Sequence, residues 1–346
     1  MAKKLFDFCI GNPPYHSDTK NTGDRPNPVY HTFMDSAYEV ADVTELITPG
    51  RFLFNAGQTS KSWNEKMLND THLKVLTYES DATKVFPTTD IKGGVAITLR
   101  DSRKEYGPIG TFTEYKELND IIRKVNAVET TNPRINTIIA SQGLYRFSGL
   151  FFKKHPEAKS ILGKGTGNKI VSKVMKELPD VFKAAPDNEG VYVKFLGRVN
   201  NRREYRYILR SYIEHNDYID TYNLFLPEAN NSGHFGETLT LPIVGNPGEG
   251  SSDTFLSAGQ FTTEIEPANM LKYFKTKFFR ALLGAKKVTQ HCPPTVWKVI
   301  PIQNFKETSD VNWSKDIADI DRQLYRKYRL STAEIEFIEA NVKPME

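Results

Sequence analysis

The sequence predicts an α/β fold for residues 1–110, part of a Rossmann-like sheet, followed by an α+β domain over 111–346. The first observation is that short apolar runs, typical of buried strands, alternate with stretches of helical periodicity. The second is a change after Tyr106-Gly107-Pro108, beyond which aromatic and basic residues are dense. A chain of 346 residues is also long enough for two domains.

The first domain is predicted to begin with a strand over 5–10, which Gly11-Asn12-Pro13-Pro14 interrupts. A helix is expected from Pro28, with its buried face on Val29, Phe33, Ala37 and Val40. The other elements are a helix over 58–68 and strands over 43–48, 73–76 and 95–99. This order is typical of a sheet with parallel strands. It is too short for a doubly wound domain, so we expect the chain to begin in the middle of that fold.

The second domain shows helical and strand-like stretches in no regular alternation. Helices are predicted over 115–125, 168–178 and 270–283, and strands over 191–196, 205–213 and 239–244. Mixed elements of this kind are typical of an α+β domain.

Composition narrows the class of protein. A hydrophobic fraction of 39% is that of a globular protein, and a net charge of +4 is compatible with a polyanionic partner without requiring one. Cys9 and Cys292 are far apart and show no metal-ligand spacing, so we expect a reducing, cytoplasmic location and no metal site. No apolar run approaches the length of a membrane span, so no membrane association is expected.

The strongest motif is Asn12-Pro13-Pro14-Tyr15, which follows an apolar strand. The carboxyl end of a strand is where α/β sheets place ligands and reacting groups. The alternative interpretation is a simple turn, because Asn-Pro and Pro-Pro often end strands. Its position between a strand and a loop-helix unit favours the functional interpretation.

The residue types suit chemistry on an exocyclic amine. Such an amine is a poor nucleophile because its lone pair is delocalised into the ring. Two hydrogen-bond acceptors, the Asn12 side-chain oxygen and the Pro13 carbonyl, can hold both N–H groups and favour the pyramidal transition state. Pro13 and Pro14 stiffen the turn, so the acceptors are pre-placed. Tyr15 can stack on a base that has left the duplex.

Three stretches together resemble adenine-N6 DNA methyltransferases of bacterial restriction–modification systems, in particular the large type II enzymes that methylate and cleave. They are the segments 6–15, 46–53 (Leu-Ile-Thr-Pro-Gly-Arg-Phe-Leu) and 84–95. The last is similar to the segment whose Phe packs on the flipped base, which assigns that role to Phe86. The stretches 273–301 and 321–338 are similar to the target-recognition domains of those enzymes.

The resemblance implies S-adenosylmethionine as methyl donor and double-stranded DNA as substrate. In this family a Gly-rich turn and an acidic residue bind the donor. In the arrangement that the motifs suggest, both elements would precede Asn12. We therefore expect the donor-binding half of the methyltransferase domain to be missing and a companion subunit to supply it. A permuted order is the alternative. It would place the donor site at Gly163-Lys-Gly-Thr-Gly167 or Gly245-Asn-Pro-Gly-Glu-Gly250, although lone Gly patterns are usually loops.

Basic side chains in the second domain are candidates for DNA contact. They are Arg198, Arg202, Arg203 and Arg206, with Arg210 nearby, and Lys277, Lys286 and Lys287. The alternative is that they form solvated charged faces.

Two other functions remain open at this point. A chain without a donor site could be a catalytically silent DNA-binding specificity module. Asn-Pro-Pro-Tyr also serves methyltransferases of protein glutamine, although those enzymes need no large DNA reader.

Overall fold

The computed structural model describes residues 4–17, 27–87, 91–129, 133–287 and 289–345. The chain divides into two compact units, Met1–Arg123 and Lys124–Glu346. Both units mix helices and strands, as predicted, and their sheets are small, with three or four strands each. The predicted boundary after residue 110, between the catalytic and the target-recognition domains, stays a prediction. None of the helices in the described ranges is long and apolar enough to cross a membrane.

The first unit contains every element predicted over residues 5–99. Its strands are β1 (Phe6–Gly11), β2 (Ala41–Pro49), β3 (Leu73–Glu79) and β4 (Val95–Asp101), and its helices are α1 (Tyr30–Val40) and α2 (Lys61–Asn69). Helix α3 (Lys116–Val128) follows. The strands form one sheet in the order β1-β2-β4-β3.

The sheet is mixed, so the prediction of parallel strands is wrong for β4. Strands β1 and β2 are parallel, whereas β4 is antiparallel to both of its neighbours, β2 and β3. The connection from β3 to β4 contains one short 3₁₀ turn, Ala82–Lys84, and no crossover helix among its described residues. A parallel return requires such a crossover, and therefore β4 runs back beside β3.

Helix α1 buries a different face from the one predicted. Its buried residues are Tyr30, Met34, Ala37 and Tyr38, whereas Phe33 is 46% exposed. Apolar residues occupy two adjacent stripes of this helix, so periodicity alone does not select the stripe that meets the sheet. The selected stripe packs with α2, β2 and β4 around the core residues Phe52, Trp63 and Met67.

Strand β1 is an edge of the sheet within the described residues. The side chains of Leu5, Phe8 and Ile10 are 77%, 64% and 77% exposed. These three side chains form an exposed apolar patch at the start of the chain's first strand and along it. An exposed apolar edge of this kind is a template for pairing with another strand.

The second unit contains two three-stranded sheets and seven further helices among its described residues. One sheet has the order β10-β7-β8 and the other β6-β5-β9. The strands are β5 (Tyr192–Val199), β6 (Arg202–Leu209), β7 (Tyr222–Pro227), β8 (Ile243–Gly245), β9 (Glu249–Ser251) and β10 (Phe255–Phe261). The helices are α4 (Gly149–Lys154), α5 (Ala158–Leu162), α6 (Ser172–Glu177), α7 (Ile265–Lys275), α8 (Lys277–Gly284), α9 (Ile317–Lys327) and α10 (Thr332–Asn341).

The long helix predicted over 270–283 is two helices. The chain breaks at Thr276, which is extended (φ −61°, ψ 148°), and its Oγ1 accepts the Phe279 N–H at 3.1 Å. A capping hydroxyl can end one helix and begin the next. The apolar pattern runs through both helices, so periodicity alone predicts a single helix. The predicted helix over 168–178 shortens to α6 and the predicted strand over 239–244 shortens to β8.

Glycines connect the ends of β2, β3 and β4. The Gly50 N–H donates to the Gly94 carbonyl at 2.9 Å. Gly94 has φ +69°, and a Cβ there would lie 2.4 Å from the Glu79 carbonyl oxygen. That oxygen belongs to the backbone of β3 and has little freedom to move away. The turn before β4 therefore requires glycine for both its conformation and its close packing.

We expect Gly94→Ala to lower the free energy of unfolding by at least about 2 kcal/mol, because the left-handed conformation alone costs a non-glycine residue about 1–2 kcal/mol and the Cβ contact adds to it. Gly107→Ala is the matched control, since Gly107 has φ +80° and nothing within 4 Å of a Cβ. Urea denaturation of both variants measures the difference. Equal losses would show that the close contact to β3 contributes nothing.

Candidate functional site

The Asn12-Pro13-Pro14-Tyr15 turn lies directly after β1. The last residue of β1 in register with β2 is Gly11, which pairs with Leu46. Pro13 and Pro14 have no N–H, so they cannot extend the ladder and the strand ends. Asn12 and Pro14 are exposed, and Pro13 is partly exposed.

The far side of the turn is held against the start of α1. The Val29 N–H donates to the Tyr15 carbonyl at 3.0 Å, and the Ser17 N–H donates to the Asn27 carbonyl at 2.9 Å. A bridge between His16 and Pro28 lies between these two bonds. The turn is thus fixed at both ends, by β1 on one side and by the residues before α1 on the other.

Within the described residues, the Asn12 amide and the Pro13 carbonyl make no hydrogen bond. Both oxygens can therefore accept from a ligand without breaking a contact of the protein. An exocyclic amine carries two N–H donors, which is the number that these two oxygens can hold. The arrangement suits an amine as the reacting group.

Tyr15 contributes a ring rather than an ionised group. Its side chain packs beside the core of the first unit, and its buried hydroxyl has no partner among the described residues. Burial raises the pKa of Tyr15 to about 12. The phenol therefore stays protonated at neutral pH and is not poised to act as a general base.

Phe86 lies next to Tyr15, with the ring centroids 6.4 Å apart and the planes at 70°. A 3₁₀ turn positions it, because Asp81 caps the turn at Thr83 and the Phe86 N–H donates to the Ala82 carbonyl at 2.8 Å. The structure brings the two predicted rings together, but edge to face. A base sandwiched between them requires one ring to rotate, so the stacking roles stay predictions.

Thr48 is a residue that the sequence analysis did not single out. Leu46 is the last residue of β2 that pairs with β1, and its partner is Gly11. Thr48 lies two positions further along β2, and extending the same register would place it beside Pro13. The side chain is fully buried, and its hydroxyl has no partner among the described residues. Its position at a strand's carboxyl end, before Pro49-Gly50, was the available signal.

The β5–β6 hairpin determines which of the predicted arginines share a face of the strands. Asn200 and Asn201, with φ +49° and +62°, form its turn. Arg198 and Arg203 are directly opposite each other. Strand alternation puts Arg202 and Arg206 on the other face.

The arginines differ in how far they are already engaged. Arg203 donates to the Leu241 carbonyl at 2.9 Å, and Arg206 pairs with Glu204 at 2.6 Å. Arg210 pairs with Asp220 at 2.7 Å. The guanidinium groups of Arg198 and Arg202 have no partner in the part of the chain that the structure describes. These two are the groups free to meet a phosphate.

The three predicted lysines lie in three different environments. Lys277 pairs with Glu339. Lys286 is exposed and has no acidic partner among the described residues, and partial desolvation lowers the pKa of Lys286. Lys287 is 4% exposed, and its Nζ is 2.6 Å from the Glu237 carboxylate. A buried, paired ammonium has no free face for a phosphate, so we remove Lys287 from the proposed DNA contacts.

Glu237 is the partner that makes Lys287 structural. Burial opposes its ionisation, but hydrogen bonds from Lys287, Gly233 and Ser232 outweigh that effect and hold the pKa of Glu237 at about 2. The folded pKa lies below the ordinary value of 4.5. The stabilisation is therefore present above pH 4.5 and is lost as the pH falls toward 2.

We expect Lys287→Met to lower the free energy of unfolding at pH 7 by about 1–3 kcal/mol, because the Glu237 carboxylate, only 14% exposed, loses its cation but keeps hydrogen bonds from Ser232 and Gly233. Lys286→Met is the control, and a change below about 1 kcal/mol is expected there. Denaturation at pH 7 and pH 3 measures both effects, and the loss should be smaller at pH 3. Unchanged stability of Lys287→Met would reject this structural role.

Comparisons with known proteins bear on the first unit. Residues 1–86 match the Eco57I restriction-modification methylase family. No curated protein matches the chain. Among solved structures, the chain is similar to the Type IIL restriction-modification enzyme MmeI in complex with DNA, at 10% sequence identity and a TM-score of 0.33, a value too low to support any inference. The similarity covers 96% of this chain and 56% of the MmeI chain. The segment that carries the Asn12–Tyr15 turn and Phe86 is thus similar to restriction-modification methylases.

Proposed function

We propose that this chain is the catalytic and target-recognition part of a site-specific adenine-N6 DNA methyltransferase of a restriction–modification system. The observation that carries the proposal is the Asn12–Tyr15 turn, with two uncommitted acceptors at the end of β1 and Phe86 beside Tyr15. The match of residues 1–86 to a methylase family supports it.

The target adenine leaves the duplex and presents its amine to the turn. The Asn12 oxygen and the Pro13 carbonyl accept the two N–H groups, which favours the pyramidal geometry of the reacting nitrogen. These acceptors are fixed before the substrate arrives, so little ordering is needed during the reaction. The amine proton can leave after the new bond has formed, so no prior general base is required. Tyr15 and Phe86 contact the faces of the base.

The expected methyl donor is S-adenosylmethionine, and the described residues do not form a complete site for it. The first unit has no Gly-rich turn between a strand and a helix in its described part. Gly163–Gly167 lies between α5 and α6, and Gly245–Gly250 connects β8 to β9. Neither follows a parallel strand into a helix, which is the arrangement that binds such a cofactor.

We therefore assign the donor site to a companion segment or subunit that pairs with β1. The exposed apolar side chains of Leu5, Phe8 and Ile10 are the surface that such a partner would cover. The acceptor turn lies at the carboxyl end of the same strand, so pairing at β1 would bring the donor beside Asn12. The proposal includes a cytoplasmic location, which the two separate cysteines, Cys9 and Cys292, favour.

The second unit is proposed to hold the DNA. Arg198 and Arg203 are like charges directly opposite each other, an arrangement that destabilises a hairpin in isolation. A phosphate bound by Arg198, which has no partner among the described residues, would offset the repulsion. Arg202 at the tip and the exposed Lys286 are further contacts, whereas Arg206 and Lys277 would have to change partners to reach the backbone.

We expect Asn12→Ala to reduce methyl transfer by about 10²–10³-fold, the usual effect of removing one oriented hydrogen-bonding group at a transition state. DNA affinity should barely change. The measurement is N6-methyladenine in the DNA of cells that express the chain with its native neighbouring genes. Asn69→Ala, an exposed amide at the end of α2, is the control and should methylate normally.

Near-normal methylation by Asn12→Ala would reject the proposed catalytic role. DNA binding without any N6-methyladenine in the wild type would identify a silent specificity module. Methylated glutamine in cellular protein would identify the glutamine-modifying class.

We expect Tyr15→Ala to lower kcat/KM by about 5- to 150-fold, because base–aromatic stacking contributes about 1–3 kcal/mol. Tyr15→Phe should retain activity, since the hydroxyl has no partner among the described residues. Fluorescence of 2-aminopurine at the target position reports stacking of the flipped base. Equal losses in both variants would show that the hydroxyl, and not the ring, carries the function.

A further inference from the structure

A groove of about 680 Å³ lies between α9 and α10 in the second unit. We call it the arginine groove, because Arg322, Arg326 and Arg329 line it and all three are exposed. Leu330 and Ile335 contribute apolar surface to its wall. None of the three arginines lies in the Asn12–Tyr15 turn or in the β5–β6 hairpin.

The charge of the arginine groove is largely uncompensated. Arg322 pairs with Asp319, a surface contact of the kind that contributes little. The guanidinium groups of Arg326 and Arg329 have no acidic partner in the described ranges. Glu339 is the one carboxylate in the lining, and Lys277 and Tyr325 already hold it.

A basic residue near the end of a helix can simply complement the helix dipole, and this explains Arg326 in the last turn of α9. It does not explain Arg329. Arg329 follows the helix with φ +52°, the left-handed conformation that usually belongs to glycine or asparagine at this position. Arginine there carries a steric penalty that glycine would avoid. The Arg329 side chain is exposed at this position and lines the groove, where it has no acidic partner among the described residues.

We propose that the arginine groove binds the sugar–phosphate backbone of double-stranded DNA. This inference rests on the proposed function, which supplies DNA as the partner. The planar guanidinium fork matches a phosphate in two parallel hydrogen bonds. A helix rises about 1.5 Å per residue, so the stripe from Arg322 to Arg329 extends on the order of 10 Å. A duplex carries one charge per about 1.7 Å of its axis, so several phosphates face a stripe of that length.

The test is the salt dependence of duplex binding by the full chain. Fluorescence anisotropy of a labelled duplex measures the binding constant at each salt concentration. The slope of log K against log salt falls by about 0.9 for each phosphate contact that is removed. The triple variant Arg322→Gln, Arg326→Gln, Arg329→Gln should therefore reduce the magnitude of the slope by about 2–3. The control changes Lys153, Lys154 and Lys164 to Gln, which removes three exposed charges elsewhere in the same unit and should leave the slope unchanged.

Arg329→Gly is a second variant that separates binding from folding. It removes the guanidinium and relieves the left-handed backbone at once. We expect its melting temperature to stay equal or rise, while the magnitude of the salt slope falls by about 1.

The outcomes distinguish the two proposals. If the wild type binds the duplex and the triple variant keeps the wild-type slope, the arginine groove is rejected and the proposed function stands. If the salt slope falls equally in the two triple variants, the fall reflects the lower total charge of the chain, and the groove is likewise rejected. If the wild type shows no salt-dependent duplex binding, both proposals fail.

Discussion

The candidate site depends on where β1 stops. Two prolines end its pairing with β2 after Gly11, and the hydrogen bond from the Val29 N–H to the Tyr15 carbonyl holds the chain on the other side of the turn. Between these two points the backbone has little freedom, because proline restricts its own dihedral angle and that of the residue before it. Asn12 and the Pro13 carbonyl are consequently presented at the sheet edge without a partner among the described residues.

The same strand that carries the turn is also the least covered element of the first unit. Its only described neighbour is β2, and the apolar side chains on one of its faces, Phe6, Phe8 and Ile10, are exposed. Natural proteins usually protect such an edge with charge, a bulge or another element. An edge left apolar next to a reacting group makes structural sense if a second element covers it in the working enzyme. The need for a donor site and the need to cover β1 would then be met by one partner.

In the second unit, lysines and arginines that look equivalent in the sequence have different physical roles. Lys287 is buried against Glu237, and its removal would leave a charge without compensation. Arg206 and Arg210 are held by acids on or near their own hairpin. Arg198, Arg202, Arg326 and Arg329 lack such partners in the described residues, and they are the groups with capacity for an external anion. Net charge alone, at +4, does not show this division.

The amino-acid sequence by itself determined the elements of the first unit and the position of Asn12–Tyr15 at the end of a strand, because strand ends, proline turns and apolar runs are local features. Only the tertiary structure decided the rest. The reversal of β4, the buried face of α1 and the burial of Lys287 depend on residues far away in the chain. Phe86 was expected near Tyr15 from resemblance, but its edge-to-face orientation follows from how the 3₁₀ turn packs. Local patterns specify which elements form, whereas their neighbours and the partners of their charges are set by long-range packing.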